Sequence, residues 1–132
     1  MAADETSILA VPCNEPAGLG ASIAPHFGRA PCYAILRVSG GQVHALHFIA
    51  NARHQPASCM QPVQRLLVEG VRVIVVRGIG ARGLAGLQQL GVEVLDAGIA
   101  GTVEEAWKAW GDQLLERLGP SAICDGQRGQ NA

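Results

Sequence analysis

The segment at residues 71–77 constrains the fold of this chain more than any other. Its sequence, VRVIVVR, is rich in β-branched residues, which favour strands over helices. Near-continuous apolar strands of this kind are typical of sheets whose two faces are both covered. We therefore expect a buried strand here, in a domain of the α/β class.

The remaining patterns predict three strands before this segment and an alternation of helices and strands after it. Strands are expected at residues 8–12, 33–38 and 43–49, the last two as a hairpin around Gly40 and Gly41. A first helix is expected from a capping box at Ser58 to about Glu69, and a second over Leu84, Leu87 and Leu90, ending at Gly91. A further strand is expected at residues 92–95. A third helix is expected from a capping box at Thr102, with an apolar stripe formed by Val103, Trp107, Trp110, Leu114 and Leu118. The order β-β-β-α-β-α-β-α predicts a mixed five-stranded sheet flanked by helices, an arrangement like that of ribonuclease H.

Length and composition indicate one domain and exclude some partners. A chain of 132 residues can bury a sizeable core, and we place a single domain at residues 7–118 and a flexible tail at 119–132. Ten basic against eleven acidic side chains argue against a broad electrostatic surface for nucleic acid. The acidic start is unlike a signal peptide, and no apolar run approaches the roughly 18 residues of a membrane span. We expect a cytoplasmic protein that binds neither nucleic acid nor membrane.

One end of the predicted sheet collects the residues with ligand chemistry. With the first strand pointing up, the loops after strands one, three, four and five and the start of strand two share that end, where ligands of open α/β sheets generally bind. The residues placed there are Cys13, His26, Arg29, Cys32, Asn51, His54, Cys59 and the glycine-rich turn from Gly78 to Gly83. Thiolates and imidazoles suit iron–sulfur, Cu(I) or zinc chemistry, so Cys13, His26, Cys32 and Cys59 are the candidate metal ligands. The alternative is that the cysteines are small buried hydrophobic residues.

The turn from Gly78 to Gly83 also matches the pattern G-x-G-x-x-G. It follows a predicted strand and opens a predicted helix, with Asp96 at the end of the next strand, which is the context of a dinucleotide-binding turn. A nucleotide-binding regulatory module is therefore the alternative function. Catalysis is not expected, because the strands at 8–11 and 71–76 contain no Asp or Glu for two-metal chemistry and no serine lies in a G-x-S-x-G turn.

The run H-F-G-R-A-P at residues 26–31, followed by a strand, with Asn51, His54 and Gly78-Ile79-Gly80 downstream, resembles the dinitrogenase iron–molybdenum cofactor biosynthesis family. That family includes the NifX- and NafY-type carriers and the C-terminal domain of the NifB protein. The resemblance implies a ribonuclease H-like domain that binds a metal cluster or its precursor without catalysis. It implies these cofactor-binding residues: His26, Phe27, Gly28, Arg29, Asn51, His54, Gly78, Ile79 and Gly80.

The leading hypothesis is therefore a carrier, or metallochaperone. Its cargo is expected to be an iron–sulfur or iron–molybdenum type cluster, or another cluster containing molybdenum, copper or iron. Its partners are expected to be cofactor-assembly or acceptor proteins, with a homodimer compatible with the sequence. Cys13, Cys32 and Cys59 lie outside the general family pattern, which leaves room for a thiolate-rich site or another metal.

Overall fold

The computed structural model describes residues 6–51 and 60–118, which contain a mixed sheet of five strands. The strands are β1 (Thr6–Cys13), β2 (Cys32–Ser39), β3 (Gln42–Ala50), β4 (Val73–Val76) and β5 (Glu93–Asp96). Their order across the sheet is β3-β2-β1-β4-β5. Strand β2 runs antiparallel to β1 and β3, whereas β4 runs parallel to β1 and β5. The predicted α/β class and mixed sheet are confirmed.

Within the described residues, three α-helices cover the sheet: α1 (Met60–Val68), α2 (Ala81–Gln89) and α3 (Val103–Gly111). Because side chains alternate along a strand, each strand contributes to two apolar layers. Leu66 of α1 and Leu84 and Leu87 of α2 belong to the same buried cluster as Ile74 and Val76 of β4. The opposite cluster joins Val103 and Ala106 of α3 to Leu9 and Val11 of β1, together with Val73 and Val75. The first cluster is termed the α1/α2 layer and the second the α3 layer.

Local sequence signals account for several of these elements. The four residues of β4 are all buried, as the β-branched run predicts. Gly40 and Gly41 both have positive φ, 61° and 80°, which is the requirement of a tight hairpin turn. The Thr102 side chain accepts a hydrogen bond from the backbone N–H of Glu105 (3.2 Å), and the Glu105 carboxylate accepts one from the N–H of Gly101 (2.7 Å). Reciprocal capping therefore begins α3 where the sequence predicts it.

The predicted continuation of α3 to Leu118 is wrong. The helix ends at Gly111, and Gln113 adopts a positive φ of 61°, so the chain reverses. The N–H of Leu118 then donates to the carbonyl oxygen of Val94 (2.9 Å), which places residues 116–118 along the free edge of β5. Leu118 is buried in the α1/α2 layer, whereas Leu114 is 70% exposed. The apolar spacing is compatible with a longer helix. A longer helix would, however, leave the backbone N–H and C=O groups at the edge of β5 without partners, whereas the observed pairing satisfies them.

The remaining predictions differ in outcome. Helix α2 ends at Gln89, so Leu90 lies at its C-terminal cap and is half exposed, while Gly91 follows as expected. Ser58, Cys59 and the tail at 119–132 lie outside the described residues. Among the residues that are described, none of the helices combines the length and apolar character needed to cross a membrane.

Candidate functional site

The loop between β1 and β2, residues 14–31, crosses the sheet at the carboxyl ends of the parallel strands. Its first part is held by backbone hydrogen bonds on both sides. The N–H of Ala24 donates to the carbonyl oxygen of Pro12 (2.8 Å), and the N–H of Ile23 donates to that of Gly101 (3.0 Å). Glu15 accepts hydrogen bonds from the N–H and hydroxyl of Ser22. A long loop tied down in this way presents its remaining residues in a fixed position.

Phe27 anchors the second part of the loop to the glycine-rich turn after β4. Its N–H donates to the carbonyl oxygen of Gly78 (2.8 Å), and its own carbonyl oxygen accepts from the hydroxyl of Tyr33 (2.6 Å). The Phe27 ring is 1% exposed and lies 5.4 Å from the Tyr33 ring, centroid to centroid. Phe27 therefore fixes the loop from within the α1/α2 layer, and its neighbours His26 and Gly28 are exposed.

Asn51 holds the end of the same loop. Its side-chain nitrogen donates to the carbonyl oxygens of Ala30 (2.8 Å) and Gly28 (3.1 Å), and its backbone N–H donates to that of Pro31 (3.0 Å). Both amide protons are used, so this side chain positions the backbone around Arg29. The Arg29 side chain itself is exposed.

Packing accounts for part of the glycine pattern at residues 78–83. Gly78 is buried, and its carbonyl oxygen receives the Phe27 N–H. A Cβ on Gly83 would lie 3.3 Å from Cγ1 of Ile79 and 3.6 Å from Cδ2 of Phe27. The Asp96 carboxylate, which the nucleotide hypothesis assigns to a ribose, accepts a hydrogen bond from the N–H of Gly98 (3.1 Å). Gly83 therefore has a packing reason that involves no bound nucleotide, whereas a Cβ on Gly80 would meet no atom within 4 Å.

Cys13 and Cys32 are direct register partners on β1 and β2. Both are free and buried, with 0% and 6% of their surface exposed, and both belong to the α3 layer. Burial raises the pKa of the Cys13 thiol to about 12, with a smaller contribution from Cys32, and burial also raises the pKa of Cys32. The two thiols are thus protonated in this arrangement, and they lie in the layer opposite to Phe27 and Ile79.

The predicted site residues therefore fall into two groups. His26, Phe27, Gly28, Arg29, Asn51, Gly78, Ile79 and Gly80 come together around the loop contact, with Phe27 and Ile79 as buried anchors. Cys13 and Cys32 form a separate pair. His54 and Cys59 lie outside the described residues. Within residues 6–51 and 60–118, no three or more His, Cys, Asp or Glu side chains are grouped so as to hold a metal ion.

One residue of this site was missed in the sequence. Tyr33 is the only tyrosine of the chain and is 1% exposed, and its hydroxyl fixes the Phe27 carbonyl. The available signal was a tyrosine at the start of a buried strand, because a buried hydroxyl needs a hydrogen-bond partner.

Comparison with known proteins gives matches over most of the chain. Residues 7–113 match the family model described as dinitrogenase iron-molybdenum cofactor. An uncharacterized protein of Methanocaldococcus jannaschii is 26% identical over 98 residues, which cover 73% of this chain and 82% of that protein.

Solved structures share the fold. The apo form of the orange protein from Desulfovibrio gigas superposes with a TM-score of 0.74 at 24% identity, over 88% of this chain and 96% of that one. A Thermotoga protein provisionally named as a NifB protein gives a TM-score of 0.70 at 25% identity, over 91% and 99% of the two chains.

Proposed function

Because the chain belongs to the dinitrogenase iron-molybdenum cofactor family, we propose that it binds a metal cluster, or a precursor of one, and passes it on without catalysing a reaction. The cluster is of the iron–sulfur or iron–molybdenum type and is cargo, not a resident cofactor. The donor and acceptor are cofactor-assembly proteins. The orange protein structure is described as an apo form, which supports a cargo-binding role in a protein of the same fold. We also propose that the domain is ribonuclease H-like, which the strand order β3-β2-β1-β4-β5 supports.

The observation that carries the proposal is the hydrogen bond from Phe27 N–H to Gly78 carbonyl oxygen. It brings the loop containing His26 and Arg29 to the turn that begins α2, at the carboxyl ends of β1 and β4. Ligands of open α/β sheets generally bind at this position.

The chemistry of the exposed residues fits such a cargo. His26 offers an imidazole, which is a ligand for iron and copper, and Arg29 offers a permanent positive charge for a sulfide-bearing anion. Gly28 lies between them and has no side chain to obstruct approach. His54 and Cys59 remain proposed ligands because the sequence places them at the same end of the predicted sheet. An incomplete set of protein ligands suits a carrier, since closed four-ligand cages are typical of structural sites.

Cys13 and Cys32 are less suited than His26 to be the first residues that bind the cluster. A thiol must lose its proton to ligate a metal, and burial opposes that loss at both residues. The proposal therefore assigns first contact to the His26 loop.

The test is anaerobic reconstitution of the full chain with iron, sulfide and molybdate, followed by desalting, metal analysis and a visible spectrum. We expect a coloured complex with a fixed metal ratio. The variants His26→Ala and Arg29→Ala should each bind the cargo at least about tenfold more weakly, which is the loss typical of removing one group that supports a metal site. His44→Ala is the matched control, because His44 is an exposed histidine on β3 that bonds to the Ser39 carbonyl oxygen.

Two results would overturn the proposal. One is a chain that stays colourless and metal-free after reconstitution. The other is a His26→Ala, Arg29→Ala double variant that loads as fully as the unmodified chain.

A further inference from the structure

Cys13 and Cys32 face one another across the β1–β2 pair at the base of the loop 14–31. The carbonyl oxygens of Ile8 and Pro12 accept hydrogen bonds from Arg72 and Ala24, on the side of β1 away from β2. Backbone groups alternate along a strand, so those of Cys13 point towards β2 and the two cysteines form a hydrogen-bonded pair. Such a pair has Cα atoms about 5.5 Å apart, which is the commonest Cα separation in disulfides.

Both sulfur atoms lie on the same face of the sheet, in the α3 layer. The Cys13 thiol donates to the carbonyl oxygen of Val11 (3.1 Å), and the Cys32 thiol lies 3.7 Å from that of Cys13. Among the described residues, no charged side chain is buried, so this layer offers no cation to stabilise a thiolate. Two neutral forms of the pair suit the layer: the dithiol and the disulfide.

We propose that Cys13 and Cys32 form a reversible disulfide when a small peroxide oxidises the chain. The bond would join the two ends of the loop that carries His26 and Arg29, so the site loop would have a covalent base. This inference goes beyond the proposed function and does not depend on the cargo.

The chemistry balances with hydrogen peroxide as the oxidant. Cys32 is the attacking residue, because it is the more exposed of the pair and follows the exposed Pro31. Its sulfur attacks one peroxide oxygen as the thiol loses its proton, the O–O bond breaks, and the departing hydroxide takes up that proton as water, which leaves a sulfenic acid. The Cys13 sulfur then attacks the Cys32 sulfur, the S–O bond breaks, and the second proton leaves with the oxygen as water. Two thiols are oxidised by two electrons, and one peroxide is reduced to two waters.

The register also explains why the bond should be reversible. Directly opposed residues have Cβ atoms about 4.5–5.5 Å apart, with hydrogen-bonded pairs at the wider end, whereas disulfides have about 3.5–4.5 Å. Closure therefore draws the strands together locally. Strained disulfides have higher reduction potentials and are readily reduced by thiols.

The test is a peptide map of the full chain after treatment with hydrogen peroxide and blocking of free thiols. Trypsin cleavage after arginine places the four cysteines in four different peptides, at residues 1–29, 30–37, 54–65 and 118–128. We expect the peptides 1–29 and 30–37 to be joined and to separate after reduction with dithiothreitol.

Controls make the result decisive. Cys13→Ala and Cys32→Ala should each lose the joined peptide. If either variant fails to fold, the map of the unmodified chain still decides. The inference is overturned if the Cys13 and Cys32 thiols still react with the blocking reagent at peroxide levels that oxidise the urea-unfolded chain. It is also overturned if the two cysteines become sulfinic acids without a cross-link, or if their peptides are joined to those of Cys59 or Cys124. His26→Ala should still form the bond, so failure to bind cargo and failure to form the disulfide are separate results.

Discussion

The backbone N–H of Phe27 lies 2.8 Å from the carbonyl oxygen of Gly78, and this hydrogen bond joins two loops that are about 50 residues apart in the chain. A main-chain bond cannot be removed by changing a side chain, but its geometry depends on the groups that hold Phe27. Those groups are the Tyr33 hydroxyl and the surrounding α1/α2 layer. The position of the exposed His26 is therefore set by buried residues.

Tyr33→Phe should destabilise the protein while leaving the aromatic contact with Phe27 intact. The substitution removes the donor of a 2.6 Å hydrogen bond and leaves the buried carbonyl oxygen of Phe27 without it. An unsatisfied buried acceptor costs about 1–3 kcal/mol. Urea unfolding measures the change in the free energy of unfolding. A loss below about 0.5 kcal/mol would show that water or another donor replaces the hydroxyl.

Asn51→Asp should be more damaging than Asn51→Ala. Alanine removes the donor to the carbonyl oxygens of Gly28 and Ala30, whereas aspartate places a negative charge against both. We expect losses of about 0.5–1.5 kcal/mol for alanine and more for aspartate above its pKa. Amide hydrogen exchange at residues 28–31, measured together with urea unfolding, separates local loosening of the loop from global destabilisation. Equal effects of the two variants would contradict this role for the amide.

The fold was largely predictable because most of its signals are local. The buried β4, the Gly40-Gly41 turn and the Thr102 cap each depend on a few neighbouring residues. The pairing of Cys13 with Cys32 was not predictable, since it depends on the β1–β2 register across a long loop that carries no periodic pattern. The end of α3 was missed for a similar reason: the partner of Leu118 is Val94, which no local spacing identifies. In the candidate site, the residue types could be placed at one end of the sheet, but their separation into two layers needs the alternation along β1 and β2.

The stability of the reduced protein should fall as the pH rises above 9. The pKa of Cys13 is raised from 9.0 to about 12 by burial, so between these values the unfolded chain has lost this proton while the folded chain keeps it. The contribution of the protonated Cys13 thiol to the free energy of unfolding is therefore complete below pH 9. It is lost progressively towards pH 12, with a slope of at most about 1.4 kcal/mol per pH unit. Unfolding in urea under reducing conditions, from pH 7 to 10.5, measures it by comparison with Cys13→Ala. A difference between the two proteins that stays constant with pH would contradict the assignment.

Leu118→Ala and Leu114→Ala should differ strongly, although both leucines lie on one stripe in the sequence. Leu118 is 8% exposed in the α1/α2 layer, and its truncation leaves a cavity, so we expect a loss of about 2–5 kcal/mol. Leu114 is 70% exposed beyond the end of α3, so its truncation should change stability by no more than about 0.5 kcal/mol. Urea unfolding of both variants under identical conditions is the measurement. Comparable losses would favour the longer helix over the observed pairing with β5, because on a continuous helix both side chains would be packed on the same face.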